Sequence, residues 1–62
     1  ESKFLSGGIE LRKMSNGSFQ LVNEEWEVLD NAIQVMRNFA DQLGIDFTGM
    51  NTRRLGQALL VA

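Results

Sequence analysis

The chain has 62 residues, a net charge of −2 and neither Cys nor His. A chain of this length forms one domain with a marginal core, burying only about 60% of the surface its unfolded form exposes. Without Cys or His a disulfide is excluded and the usual zinc ligand sets are missing, which leaves association with a partner as the expected supplement.

In chain order, residues 1–8 read as a flexible N-terminal segment, with Gly7 and Gly8 as a break before a single domain at 9–62. Ile9 to Met14 then alternates apolar with polar for most of its length, as a half-buried strand does, and Phe19 to Val22 repeats the pattern. Between them Asn16-Gly17 tolerates positive φ and closes a β-hairpin. A two-residue loop would put Leu11 and Phe19 on opposite faces. A three-residue loop of Ser15, Asn16 and Gly17, with Gly17 left-handed, pairs Leu11 with Leu21 and Lys13 with Phe19. Ile9, Leu11, Phe19 and Leu21 then share one face, and this is the predicted register, because a one-residue slip would wet the whole apolar set.

Asn23 predicts an N-cap, and Glu24, Glu25 and Glu27 would complement the positive end of a helix dipole. The predicted helix runs without Gly or Pro to Leu43, where Gly44 ends it in a left-handed conformation. Along it, Trp26, Leu29, Ile33, Met36, Ala40 and Leu43 form one apolar stripe, and Val28, Ala32, Val35 and Phe39 form a second beside it. A hairpin and one short helix do not cover so wide a face, so one stripe is expected to meet another chain. Ile45 to Met50 reads as a connection, after which Asn51 or Thr52 caps a second helix with Leu55, Leu59 and Val61 inward and Gly56 weakening its middle.

Catalysis near neutral pH needs a poised titratable group, and His, Cys and Tyr are all missing. Ser15 and Ser18 belong to the hairpin tip. Glu24, Glu27 and Asp30 fall at i, i+3 and i+6 without the Gly-containing loop of a calcium site, so they read as a solvated helix start. Gly7-Gly8 lacks phosphate-loop spacing. No catalytic residue, cofactor, metal or small-molecule substrate is therefore expected. The longest apolar run, Ala58 to Ala62, is far too short for a membrane span. Lack of Cys in so small a domain favours a cytoplasmic location.

Phe39-Ala40-Asp41-Gln42-Leu43-Gly44-Ile45 followed by Asn51-Thr52-Arg53-Arg54-Leu55 resembles a helix-turn-helix, with Arg53 and Arg54 opening a recognition helix. Phe19 to Val22 followed by two helices is similar to a ribbon-helix-helix protein. Either resemblance implies a DNA-binding regulator in which Arg12 and Lys13 touch phosphates. The six basic residues are thinly spread, however, and do not form the footprint of a polyanion binder.

The expectation is thus an α+β domain of ββαα order: an antiparallel hairpin, a long amphipathic helix and a shorter C-terminal helix, associating as a homodimer or with another protein. Trp26, Leu29, Ile33 and Met36 are the expected interface, and DNA binding through Arg12, Lys13, Arg53 and Arg54 is the alternative.

Overall fold

The computed structural model describes all residues, Glu1–Ala62. Three antiparallel strands, β1 (Ser2–Phe4), β2 (Glu10–Lys13) and β3 (Phe19–Val22), lie in the order β1-β2-β3 and are followed by helices α1 (Ala32–Gln42) and α2 (Thr52–Val61). The architecture is α+β, as expected, with one strand more. Residues Ser2 to Phe4, placed above in a flexible segment, pair with β2 through Ser2 opposite Arg12, Lys3 opposite Leu11 and Phe4 opposite Glu10. So short a strand carries almost no propensity of its own; its backbone pairs only because β2 is already in place.

The register of the central hairpin is the one argued from the three-residue loop: Leu11 faces Leu21 and Lys13 faces Phe19. Met14 N–H donates to the Ser18 carbonyl at 2.7 Å and Gly17, at φ 85°, closes the turn. The Asn16 side chain accepts from the Ser18 N–H at 2.9 Å. This register directs Leu11, Phe19 and Leu21 to one side of the sheet, where they join Met36, Ala40, Leu55 and Leu59 in a single buried cluster. Both helices therefore cover the same side, and the opposite side keeps no helical layer.

The helix expected from Glu24 onward begins instead at Ala32. Residues 23–31 turn back along β3: Val28 bridges Val22, Asn23 N–H donates to the Glu27 carbonyl at 3.0 Å, and Leu29 N–H donates to the Leu21 carbonyl at 2.8 Å. The apolar spacing of Trp26 and Leu29 suits a helix, but an extended path satisfies the free edge of β3 and brings Leu29 against the core, so tertiary pairing overrides local preference. The shorter helix carries only part of the two predicted stripes, because Trp26, Val28 and Leu29 precede it and Leu43 follows it. Met36 and Ala40 are fully buried, while Leu29, Ala32, Ile33, Val35 and Phe39 pack around the same cluster; Trp26, Val28 and Leu43, assigned to the same two stripes, stay exposed.

The end of α1 follows expectation. Gly44, at φ 73°, donates to the Asp41 carbonyl at 3.1 Å, and Ile45 N–H reaches the Ala40 carbonyl at 2.8 Å, which is the paired bonding of a Schellman cap. Asn51 caps α2, its Oδ1 accepting from Arg54 N–H at 2.9 Å. Leu55 and Leu59 point inward, but Val61 is 73% exposed rather than inward. Lys3 reaches across from β1 to donate to the Leu59 carbonyl at 3.2 Å and to Ala62, placing a cation at the negative end of the α2 dipole. No helix is long and apolar enough to cross a membrane.

Gly56 is a contact residue more than a weak point of the helix. It is buried, and a Cβ there would overlap the ring of Phe19. Its bare backbone lets α2 lie directly on β3. Gly56→Ala should therefore destabilise the fold by about 1–3 kcal/mol through overpacking, even though Ala gains roughly 1 kcal/mol of helix propensity over Gly. Urea denaturation of the two proteins measures the difference, and a stabilised variant would show that Phe19 moves aside freely.

Candidate functional site

The turns between strands share one construction. Leu5 N–H donates to the Ile9 carbonyl at 2.7 Å, Met14 to Ser18 at 2.7 Å and Asn23 to Glu27 at 3.0 Å, each pair enclosing three residues. The third enclosed residue has a positive φ in every case: Gly8 at 75°, Gly17 at 85° and Trp26 at 64°. Trp26 thus occupies a position that two other turns fill with glycine. It is the only non-glycine residue in the protein with positive φ. For a bulky side chain this conformation costs on the order of 1–3 kcal/mol.

Asn23 holds the turn. Its side-chain oxygen accepts from the N–H groups of Glu25 at 2.9 Å and Glu27 at 3.0 Å, its amide nitrogen donates to Glu27 Oε1 at 3.1 Å, and its carbonyl accepts from Trp26 N–H at 3.1 Å. The residue read as a helix cap does bond the N–H groups that follow it, as a cap would, but those groups belong to a tight turn.

The strain is not offset by burial, since the Trp26 side chain is 75% exposed. What it meets is Arg12, whose guanidinium lies 5.3 Å from the ring centroid. Arg12 in turn forms an ion pair with Glu10 at 2.9 Å, the one salt bridge of the protein. Glu10 and Arg12 alternate with the buried Leu11, so this arrangement sits on the side of the sheet away from the helices. Phe4, paired with Glu10, shares that side and is 71% exposed. Val28 adds a third exposed apolar residue to the strand that returns beside β3. Phe4, Gly8, Glu10, Asn23, Glu24 and Trp26 enclose a cleft of about 250 Å³.

The four residues expected to form an interface do not share a surface. Met36 has no exposed surface, Leu29 and Ile33 are half-buried against the same core, and only Trp26 faces outward. The reason is the late start of α1 at Ala32, which leaves Leu29 paired along β3 against the core and takes Trp26 off the helix altogether. Of the cleft residues, Phe4 is not singled out in the sequence, Gly8 reads only as a break, and Glu24 only as part of a helix start. A readable signal existed for Gly8 and the placement of Trp26: Gly8, Gly17 and Trp26 recur nine residues apart, and each is followed by a stretch able to form a strand.

The basic residues of the DNA-binding resemblance are distributed over the molecule. Lys13 donates to Gln57 Oε1 at 3.1 Å and Arg53 to the Asn16 carbonyl at 3.1 Å, joining α2 to the hairpin tip. Arg12 lies on the opposite side of β2 from Lys13, and Arg54 is exposed on α2. Nine residues separate α1 from α2, more than the tight turn of a helix-turn-helix. In that connection Asp46 accepts a hydrogen bond from Thr48 N–H at 3.0 Å, which holds its carboxyl below its ordinary pKa.

No protein-family model matches the chain, and neither the curated proteins nor the solved structures compared with it include a significant match.

Asn23 organises the turn that presents Trp26, so Asn23→Ala should lower stability by about 1–2 kcal/mol. Chemical denaturation followed by circular dichroism checks this, and an unchanged midpoint would mean that the backbone bonds of the turn and the Val22–Val28 bridge suffice to hold it.

Proposed function

We propose that the chain is a small non-catalytic protein-interaction or regulatory module that docks on a protein partner through the helix-free side of its sheet. The observation that supports this most directly is Trp26, a large aromatic ring kept in a glycine-type backbone conformation and turned to solvent. Folding alone disfavours both features. Backbone strain of this kind persists where the surrounding structure overdetermines it and is typical of functional positions. Exposed Trp is also the residue most often found to anchor protein interfaces.

Phe4 and Val28 extend the apolar surface around the ring, and Arg12 and Glu10 supply a polar border. That composition, aromatic at the centre and charged at the edge, is the anatomy of a docking patch. Beside it lies the free edge of β1. The strand's pairing with β2 leaves the backbone groups of alternate residues, Ser2 and Phe4, directed away from the sheet. An incoming strand would find both backbone partners and an exposed aromatic side chain at one place.

The proposal separates function from folding by a single substitution. Trp26→Gly removes the strained side chain and the contact with Arg12, an exposed cation–π pair worth about 0.5–1 kcal/mol, and relieves about 1 kcal/mol or more of strain. The variant should be as stable as the parent or more so. A loss above about 2 kcal/mol, measured by urea denaturation, would make the ring a structural element and overturn the reading. Sedimentation equilibrium at micromolar concentration then assigns the partner. A multiple of 7.0 kDa that reverts to the monomer in Trp26→Gly identifies a second copy, and a monomer in both rules out self-association through this face at that concentration.

A further inference from the structure

The cleft beside Trp26 has a chemical character that narrows its ligand. Two aromatic side chains, Phe4 and Trp26, and two carboxylates, Glu10 and Glu24, are among its six lining residues, and no cation is. The two carboxylates differ in state. Glu10 is engaged by Arg12 at 2.9 Å. The Glu24 carboxylate takes part in no ion pair and no side-chain hydrogen bond, although it lies over Gly8 so closely that a Cβ on that glycine would overlap it. Gly8 carries no side chain to collide with Glu24 where it lines the cleft, and the Glu24 carboxylate remains open to solvent there.

We propose that this cleft receives one cationic side chain, the ammonium of lysine or the guanidinium of arginine, presented by the protein partner. The inference rests on the docking reading above and specifies what the partner must offer. Aromatic faces attract a cation through the ring quadrupole. An unpaired carboxylate adds a charge-assisted hydrogen bond, stronger than a neutral one. The protein already holds one cation by the same two kinds of group, since Arg12 stands over Trp26 and on Glu10. Glu24 repeats the carboxylate on the side of the cleft that Arg12 does not serve.

Size points the same way. At about 250 Å³ the cleft falls below the roughly 300–1,000 Å³ typical of pockets for small molecules and cofactors, and suits the end of a single side chain. A phosphate or a nucleic acid backbone would meet two carboxylates and be repelled. An uncharged chain of the same length would gain the apolar contact but leave Glu24 unpaired and forgo the cation–π attraction.

The test is an amide and indole NMR titration of the full chain with acetylated, amidated tripeptides bearing Lys, Arg or norleucine at the centre. The Lys and Arg peptides should shift the Trp26 indole and the Gly8 and Glu24 amides at millimolar concentration. Norleucine should bind about tenfold more weakly, a difference of about 1.4 kcal/mol. Glu24→Gln should weaken the Lys peptide by a similar factor while leaving the circular dichroism spectrum unchanged. Equal binding of norleucine, an unaffected Glu24→Gln variant, or no shift with any peptide would each overturn the inference. Butylammonium binding as tightly as the Lys peptide would also overturn it, reassigning the cleft to free amines. None of these outcomes alters the stability of Trp26→Gly, so the docking face can survive the loss of this ligand, whereas a destabilised Trp26→Gly removes both.

Discussion

A three-residue loop closed by a left-handed third residue is the constraint from which the rest of this structure follows. Strand side chains alternate with a period of two, so the length of the loop decides which residues of the next strand join those of the last. Three residues between the closing pairs bring Leu11 opposite Leu21 and put Phe19 on the same side. One residue fewer would split the set, and the helices would have no continuous surface to cover. Because the same loop occurs at 6–8, 15–17 and 24–26, the chain meanders in regular steps from Ser2 to Leu29 before its first helix begins.

That regularity makes the third loop informative. Two loops use glycine where positive φ is needed, and one uses the largest side chain available. Left-handed backbone is unfavourable for any residue with a Cβ, and exposure of an indole is unfavourable for any residue that has a core to join. Both are overcome locally by five hydrogen bonds around Asn23 and by the contact with Arg12. The turn backbone is thus held by several bonds at once, while the indole it carries stays exposed.

The two sides of the sheet divide the labour of the molecule. On one, Gly56 admits the Phe19 ring, Lys3 closes over the end of α2, and Leu55, Leu59, Met36 and Ala40 complete a dry core. On the other, Phe4, Trp26 and Val28 stay in water beside a carboxylate with no partner. An antiparallel sheet tolerates one solvated side, but that side normally alternates to polar residues. Phe4 and Trp26, both exposed, depart from that pattern.

Much of the fold was legible from residue types because it depended on local chemistry. The Asn-Gly turn, the register that keeps Leu11 with Leu21, the Gly44 cap and the Asn51 cap each follow from a few neighbouring residues whose backbone preferences agree. The start of α1, the strand at Ser2–Phe4 and the placement of Trp26 did not follow in that way. Residues 23–31 carry the acidic start and apolar spacing of a helix, and what draws them into an extended path is the unpaired edge of β3, supplied by a different part of the chain. Ser2–Phe4 likewise becomes a strand only beside β2. The sequence by itself determined which segments could turn, cap and bury; the tertiary structure decided which competing backbone partners were used, because hydrogen bonds between segments outweigh the few tenths of a kcal/mol per residue that separate helix from strand preference.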